Sequence, residues 1–157
     1  INPLPSSSVE FNNLLSARQN CDFVSAQLIS EVNKGFLIGP FSSPPFDVYR
    51  VNPIGVAIRK FSGKKRLIVD CSWPHHDTSD IQGSPSSSWS LNNLIPKEDF
   101  SLKYVQLDDA LSILSKLGTG ARLCKTDICD AFKLIPISPD LVRFYGINWN
   151  KQYFFFT

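Results

Sequence analysis

The sequence of 157 residues contains no methionine, few cysteines and no long run of apolar residues. Without an initiator methionine, we expect the chain to be a fragment of a longer protein. No segment approaches the roughly 18 apolar residues that cross a bilayer, which predicts no contact with a membrane and an intracellular location, cytoplasmic or nuclear. Four cysteines lie at irregular intervals beside apolar segments: Cys21, Cys71, Cys124 and Cys129. This spacing favours buried free thiols over a disulfide framework.

The composition is that of a globular domain. Apolar residues make up 43% of the chain, aromatic residues 12% and charged residues 19%. These fractions exclude collagen-like, coiled-coil and wholly disordered chains. Segments typical of strands and helices alternate without internal repeats, so the predicted class is α+β or α/β.

A net charge of only +2 conceals a strongly basic stretch. Six basic residues and no acidic residue lie between Arg50 and Arg66. The other ten basic and all 14 acidic residues fall elsewhere, so the rest of the chain carries −4. A compact basic patch of this kind can hold phosphates.

The first half of the sequence predicts a helix followed by a hairpin. Residues 1–21 indicate a linker and a short helix over SVEFNNLLS. A longer helix is predicted from a cap at Asp22 to a stop at Gly35. After the Pro-rich extended segment GFLIGPFSSPPF, the runs GVAIRK and KRLIVD predict a hairpin over residues 55–70. The basic side chains therefore cluster around a tight turn.

The second half predicts a loop, a helix, a strand and a second hairpin. Residues 72–90 are rich in serine and indicate a surface loop, followed by short extended pieces at 91–96 and 101–105. LDDALSILSKL predicts a helix ended by Gly118, with Asp108 and Asp109 as caps. ARLCKTDI predicts a buried strand. Residues 145–157 predict a hairpin, and we expect its last strand, QYFFF, to form an unpaired edge prone to association.

Two aspartates follow the predicted buried strand in LCKTDICDAFKLIPI. Asp127 ends the strand and Asp130 lies on the turn beyond it, which places a carboxylate at the rim of the sheet. A hard cation such as Mg²⁺ binds one or two carboxylates together with substrate phosphates. An aspartate after a strand is also commonly a turn former or a helix cap, and the spacing alone leaves both interpretations open. Cys71, His75, His76 and Asp77 match no zinc module, so we predict no metal there.

Several segments resemble one known family. NPIGVAIRKFSGKKRLIVDCSWP and LCKTDICDAFKLIPI resemble the fingers hairpin and the first palm motif of reverse transcriptases. GFLIGPFSSPPF, LNNLIP and the helix with DDALSIL are similar to the DIRS-like group of eukaryotic retrotransposons. The resemblance runs from about Glu10 to Thr157, and the order and spacing of the motifs make it specific. It implies a partial right-hand polymerase of the α+β class over residues 22–157, with the first palm motif at 121–137.

The resemblance implies roles for residues near the palm motif. Asp127 would ligate two Mg²⁺ ions, or Mn²⁺ in their place, with the backbone carbonyl of Ile128 holding one of them. In the family these ions activate the primer 3′-hydroxyl and clamp the triphosphate of the incoming dNTP. The backbone N–H groups of Asp130 and Ala131 would meet that triphosphate. Phe132 would exclude a ribose 2′-hydroxyl, although an aromatic residue is more often simply packed.

The resemblance also implies roles for the basic hairpin. Lys60 and Arg66 would bind the β and γ phosphates of the nucleotide. Arg59, Lys64 and Lys65 would hold the template electrostatically, and Asp70 would organise the hairpin through hydrogen bonds. The alternative is that these cations form only the solvated face of a hairpin.

We therefore predict a fragment of an RNA-directed DNA polymerase whose parent extends a primer on an RNA or DNA template. The fragment alone is expected to be inactive, because one carboxylate cannot hold two cations and the family's later palm carboxylates and thumb are missing. Two alternatives remain. One is a non-catalytic nucleic-acid-binding remnant that uses the basic hairpin, and the other is an ordinary interaction domain.

Overall fold

The computed structural model describes residues 5–75, 90–96 and 103–157 of the chain. It divides into two compact units, unit 1 with Ile1–Ile95 and Pro136–Thr157, and unit 2 with Pro96–Ile135. The elements of unit 1, in chain order, are β1 (Val9–Glu10), α1 (Leu15–Arg18), α2 (Cys21–Asn33), β2 (Leu37–Phe41), β3 (Arg50–Val51), β4 (Ile54–Ile58), β5 (Lys65–Val69), a 3₁₀ helix (Leu91–Leu94), α4 (Pro139–Val142), β6 (Gly146–Trp149) and β7 (Gln152–Phe156). Unit 2 contains α3 (Leu107–Leu117) and a 3₁₀ helix (Ala131–Leu134). Both helices and strands are present, in agreement with the predicted α+β class.

Five strands form a mixed sheet in the order β1-β3-β6-β7-β2, and β4 pairs with β5 in a separate antiparallel sheet. The expectation that QYFFF forms an unpaired edge is wrong. This segment is β7, which pairs with β6 on one side and with β2 on the other, where Leu37 lies opposite Phe156. The partner β2 is more than a hundred residues earlier in the chain, so no local pattern around β7 could indicate it.

The core of unit 1 lies between α2 and the two sheets. Nine buried apolar residues form one cluster: Ala17, Val24, Leu28, Leu37, Ile54, Val56, Ile147, Trp149 and Phe154. The indole Nε1 of Trp149 donates to Ser25 Oγ at 2.9 Å, which satisfies its buried polar atom. Because β4 supplies two members of the cluster, the base of the β4–β5 hairpin is fixed to the core.

The start of α2 differs from the prediction, whereas its end agrees with it. Asn20 is the N-cap residue, and Asp22 lies within the first turn, where its charge favours the positive end of the helix. Gly35 follows the C-cap with φ +77°, the left-handed conformation that a glycine stop supplies.

The residue before Leu14 and the start of α1 cover the free edge of β4. Asn13 Oδ1 accepts from the Ile54 N–H at 3.1 Å, and Ser16 Oγ accepts from the Val56 N–H at 3.1 Å. The approach is so close that a Cβ on Gly55 would lie 2.9 Å from Leu14 Cδ1. The short helix predicted over SVEFNNLLS is correspondingly limited to Leu15–Arg18, because Val9–Glu10 pairs with β3 as a parallel strand.

The two ends of the predicted Ser-rich loop are joined. Asn92 Nδ2 donates to Ser72 Oγ at 2.6 Å, and the Asn92 N–H donates to the Cys71 carbonyl at 3.2 Å. Residues 76–89 of this loop lie outside the described residues. LNNL forms a 3₁₀ helix capped by Ser90 rather than the predicted extended piece, since Ser90 Oγ accepts from the Asn93 N–H.

Unit 2 contains the predicted helix but not the predicted strand. Asp109 Oδ2 accepts from the Gln106 N–H at 2.9 Å, so this aspartate caps α3 as expected, and Gly118 ends the helix. ARLCKTDI forms no strand, and residues 121–128 are exposed. A strand needs a neighbour for its backbone N–H and C=O groups, and no strand is assigned in the described part of unit 2.

All four thiols are free, but three are exposed: Cys21, Cys124 and Cys129. The expectation of buried thiols is therefore wrong for these three cysteines. It holds in part for Cys71, which is half-buried. Cys124 is exposed because the strand that was to bury it does not form. No helix among the described residues is long and apolar enough to span a membrane.

Candidate nucleic-acid interface

The candidate site of unit 1 is the β4–β5 hairpin. Its two strands pair in register, with Ala57 opposite Arg66 and Ile58 opposite Lys65. The pairing continues beyond the strands, since the Arg59 N–H donates to the Lys64 carbonyl at 3.0 Å. Gly63, with φ +64°, closes the tip by donating its N–H to the Arg59 carbonyl at 2.9 Å. The sequence therefore predicted the hairpin and its turn correctly.

The register separates the basic residues onto two faces. Because side chains alternate across a strand, Arg59, Lys64 and Arg66 share one face. This face is exposed at all three cations. The opposite face carries Ile54 and Val56, which are buried in the core. We call the three cations on the open side the basic face.

Arg59 and Lys64 stand directly opposite one another on the basic face. The Arg59 N–H donates to the Lys64 carbonyl, so the two residues are neighbours across the hairpin, and two like charges in this position destabilise it. None of the three cations of the basic face forms an ion pair with a carboxylate among the residues that the structure describes. The like charges repel one another, and an anion placed over the face would relieve this repulsion.

The remaining predicted cations are placed differently. Lys65 lies on the opposite face, with its ammonium 6.0 Å from the centre of the Phe23 ring. Lys60 is exposed in the loop at the tip, next to Phe61. Arg50 was counted in the basic stretch but is fully buried, so it belongs to the interior of unit 1 and not to the basic face.

Arg50 is held by a buried polar network that the sequence did not indicate. Its Nε donates to Asn52 Oδ1 at 2.7 Å, its Nη2 donates to the Trp73 carbonyl, and its guanidinium lies 4.7 Å from the Phe11 ring centre. Burial lowers the pKa of Arg50 to about 10, against smaller raising effects of Cys71 and Asp70. The group therefore stays charged at neutral pH.

Asp70 organises the chain where it leaves the hairpin. Its Oδ1 accepts from the Ser72 N–H at 3.1 Å, and its Oδ2 lies 2.8 Å from His75 Nε2. These bonds fix the turn after β5 and not the basic face. The described residues contain no group of three His, Cys, Asp or Glu side chains that could hold a metal ion, and His76 and Asp77 lie outside them.

A second polar cluster that the sequence did not indicate is centred on Glu10. Tyr49 Oη donates to Glu10 Oε1 at 2.7 Å, and Tyr153 Oη donates to the same oxygen at 3.2 Å. The carboxylate thus joins β1, the residue before β3, and β7. The hydrogen bond to Glu10, together with burial, raises the pKa of Tyr49 to about 12.

Residues 127–132, which resemble a palm motif in sequence, are exposed in unit 2. Asp127 and Ile128 lie in an irregular segment, both exposed. Asp130 has φ +53° and precedes the 3₁₀ helix that begins at Ala131. Its carboxylate lies 3.7 Å from Lys133 Nζ. Phe132 is 93% exposed, so among the described residues it is not packed as a core aromatic.

The comparisons with known proteins yield little. No protein-family model and no curated protein matches the chain. A foamy viral protease-reverse transcriptase in complex with dsDNA shows 18% sequence identity and a TM-score of 0.49, over 99% of this chain and 26% of that chain. The chain thus spans about a quarter of the length of that protein. A likeness at this level carries no argument about fold or function.

Proposed function

We propose that this chain is part of an RNA-directed DNA polymerase of the DIRS-like retrotransposon type, and that its basic face binds the phosphates of a primer and template. The proposal rests on the basic face. Arg59, Lys64 and Arg66 project together from a hairpin with no acidic residue between Ile54 and Val69. The resemblance of the motifs in the sequence supplies the enzyme class.

Phosphate is the ligand that best fits this face. Arginine offers a planar fork of donors that matches phosphate oxygens, and lysine adds a compact charge. Arg66 lies two residues, about 7 Å, along the strands from the Arg59–Lys64 pair. Cations separated in this way contact different phosphates of one backbone. Lys60, at the tip, would join Arg66 in binding the β and γ phosphates of an incoming dNTP.

The resemblance also gives roles to residues of unit 2. Asp130 and Ala131 would offer backbone N–H groups to a triphosphate, and Phe132 would discriminate against a 2′-hydroxyl. The left-handed conformation of Asp130 and the exposure of Phe132 are compatible with these roles.

Asp127 would be one ligand of the catalytic Mg²⁺ ions, with the carbonyl of Ile128. Its hard oxygen donor suits Mg²⁺. However, the described residues around it form no group of three metal-binding side chains. These residues alone therefore do not make a two-ion centre. In a chain that carries the rest of the polymerase domain, Asp127→Asn should abolish primer extension and leave duplex affinity within twofold.

Neighbouring residues on opposite faces of β5 provide the test of phosphate binding. Arg66→Ala removes a cation from the basic face, whereas Lys65→Ala removes one from the other face. We expect Arg66→Ala to weaken binding of a labelled primer–template duplex severalfold in fluorescence anisotropy, and Lys65→Ala to change it less than twofold. Equal effects of the two variants would contradict the assignment of the basic face.

A second candidate is a nucleic-acid-binding protein without catalysis. The basic face supports it equally, because phosphate contacts alone are enough to bind a nucleic acid. This candidate predicts the same response to Arg66→Ala. It differs in that the chain with the rest of the domain would bind primer and template but add no nucleotide.

A further inference from the structure

Phe61 is 98% exposed at the tip of the β4–β5 hairpin. The ring contacts found among the described residues do not involve it. An aromatic side chain placed in this way contributes nothing to the packing of unit 1. Exposed loop tips usually carry small or polar residues, as Ser62 and Gly63 do here. The Phe61 ring is therefore available to a partner outside the fold.

Three hydrogen bonds close the loop that carries Phe61. The Gly63 N–H donates to the Arg59 carbonyl at 2.9 Å, and the Arg59 N–H donates to the Lys64 carbonyl at 3.0 Å. Ser62 Oγ also accepts from the Lys64 N–H at 3.4 Å. A loop closed by these bonds presents the ring at low conformational cost, which favours binding through a preformed surface.

Phe61 is surrounded by positive charge. Lys60 precedes it directly, and the Arg59–Lys64 pair closes the loop below it. Proteins that bind single-stranded nucleic acid combine cations that follow the backbone with aromatic rings on which the bases stack. The tip offers both elements within a few residues.

We propose that Phe61 is a stacking platform for an unpaired base, so that the hairpin tip binds single-stranded nucleic acid while the basic face holds its phosphates. The inference rests on the proposed function for the phosphate contacts, but it adds a base contact and a preference for unpaired strands. Bases in a duplex are already stacked on one another, so the Phe61 ring gains a base partner only where the strand is unpaired.

The charges around the tip distinguish this partner from an apolar one. A protein groove for Phe61 would have to accommodate Lys60, Arg59 and Lys64 as well, which requires an acidic rim. A lipid bilayer would gain only one buried aromatic side chain from this tip, because Ser62 and Gly63 add almost no apolar area. An unpaired polynucleotide offers a base to the Phe61 ring and phosphates to the neighbouring cations.

The test compares three variants at one position in the full chain. A fluorescein-labelled oligo(dT) of 12 nucleotides is the probe, and a blunt duplex of 12 base pairs is the control. Phe61→Ala should weaken oligo(dT) binding about 5- to 150-fold, the range for losing one stacked base. Phe61→Leu, which keeps apolar area but has no π face, should behave like Phe61→Ala.

Phe61→Trp should keep oligo(dT) affinity within about threefold, and oligo(dT) should quench its emission beyond any change in the three native tryptophans. Duplex affinity should stay within twofold in all three variants. Since no charge changes, the salt dependence should stay as in the unaltered chain. Circular dichroism checks that the fold is retained.

Full oligo(dT) affinity in Phe61→Leu would overturn the stacking role. If Arg66→Ala still weakens binding in that case, the proposed function stands and only Phe61 is misassigned. If the unaltered chain binds neither probe, both proposals fail. Binding to phosphatidylserine vesicles without binding to oligo(dT) would identify a membrane as the partner and would also overturn the inference.

Discussion

Arg50 donates from Nε to Oδ1 of Asn52 across 2.7 Å, and both side chains are fully buried. The amide group of Asn52 turns the other way, where Nδ2 donates to the carbonyls of Phe144 at 2.9 Å and Gly146 at 3.2 Å. One amide thus connects a buried cation with the strand that neighbours β3. The stability of the sheet depends on this amide, since an unsatisfied buried polar group costs about 1–3 kcal/mol.

Asn52→Ala should therefore lower the free energy of unfolding by about 2–4 kcal/mol, because it leaves the Arg50 guanidinium and two carbonyls without this partner. Urea unfolding of the whole chain, followed by circular dichroism, measures the change. Asn12→Ala at an exposed position is the matched control and should stay within about 0.5 kcal/mol. A loss below 0.5 kcal/mol for Asn52→Ala would mean that the network does not bear on stability.

The Glu10 carboxylate accepts from both Tyr49 and Tyr153, and this leads to a prediction about the pKa of Tyr49. Tyr49 has a pKa of about 12, chiefly because its hydroxyl donates to Glu10, with burial and the charge of Glu10 adding to the effect. Glu10→Gln should return the pKa of Tyr49 toward 10. The Cζ resonance of Tyr49 in a ¹³C NMR titration reports this shift, and the exposed Tyr104 serves as the internal reference.

The raised pKa of Tyr49 also predicts how the free energy of unfolding changes with pH. Tyr49 ionises near pH 10 when unfolded and near pH 12 when folded. Its contribution is fully present below pH 10 and is lost as the pH rises from 10 to 12. Glu10→Gln should therefore flatten the decline in unfolding free energy over that window. An identical decline in the variant would show that the bond from Tyr49 to Glu10 does not contribute.

Lys64→Glu should separate folding from binding. A carboxylate at position 64 would face Arg59 across the hairpin and replace a repulsive pair by an attractive one, which adds a few tenths of a kcal/mol to stability. The same change removes two units of positive charge from the basic face, so duplex affinity should fall at least tenfold. Thermal unfolding and anisotropy measure the two effects. A parallel loss of stability and affinity would indicate that Lys64 has only a structural role.

Elements whose partners are close in the sequence could be predicted from it. The β4–β5 hairpin and the β6–β7 hairpin each have a turn with residues suited to positive φ, Gly63 in the first and Asn150 in the second. The sequence also indicated that the basic side chains cluster around the first of these turns. These are local relationships, and the basic face follows from them.

Elements that depend on distant partners were missed. β7 was expected at an edge. Its partner β2 lies far earlier in the chain, with Leu37 opposite Phe156, so the sequence around β7 did not indicate the pairing. Arg50 was taken as a surface cation because its burial depends on the Trp73 carbonyl and on Asn52. ARLCKTDI has a strand-like composition, yet composition cannot supply the neighbouring strand that it needs. The palm-motif assignments, from Asp127 to Phe132, remain predictions for the same reason.

The central claim is that the basic face binds phosphates, and the salt dependence of duplex binding tests it most directly. Neutralising three phosphates predicts that log Kobs falls with log[salt] with a slope of about −2.7, or about −3.6 if Lys60 also takes part. Anisotropy titrations of a primer–template duplex over roughly 50 to 200 mM salt give the slope. Arg66→Ala should reduce its magnitude by about one. A slope near zero, or one that Arg66→Ala leaves unchanged, would contradict the account.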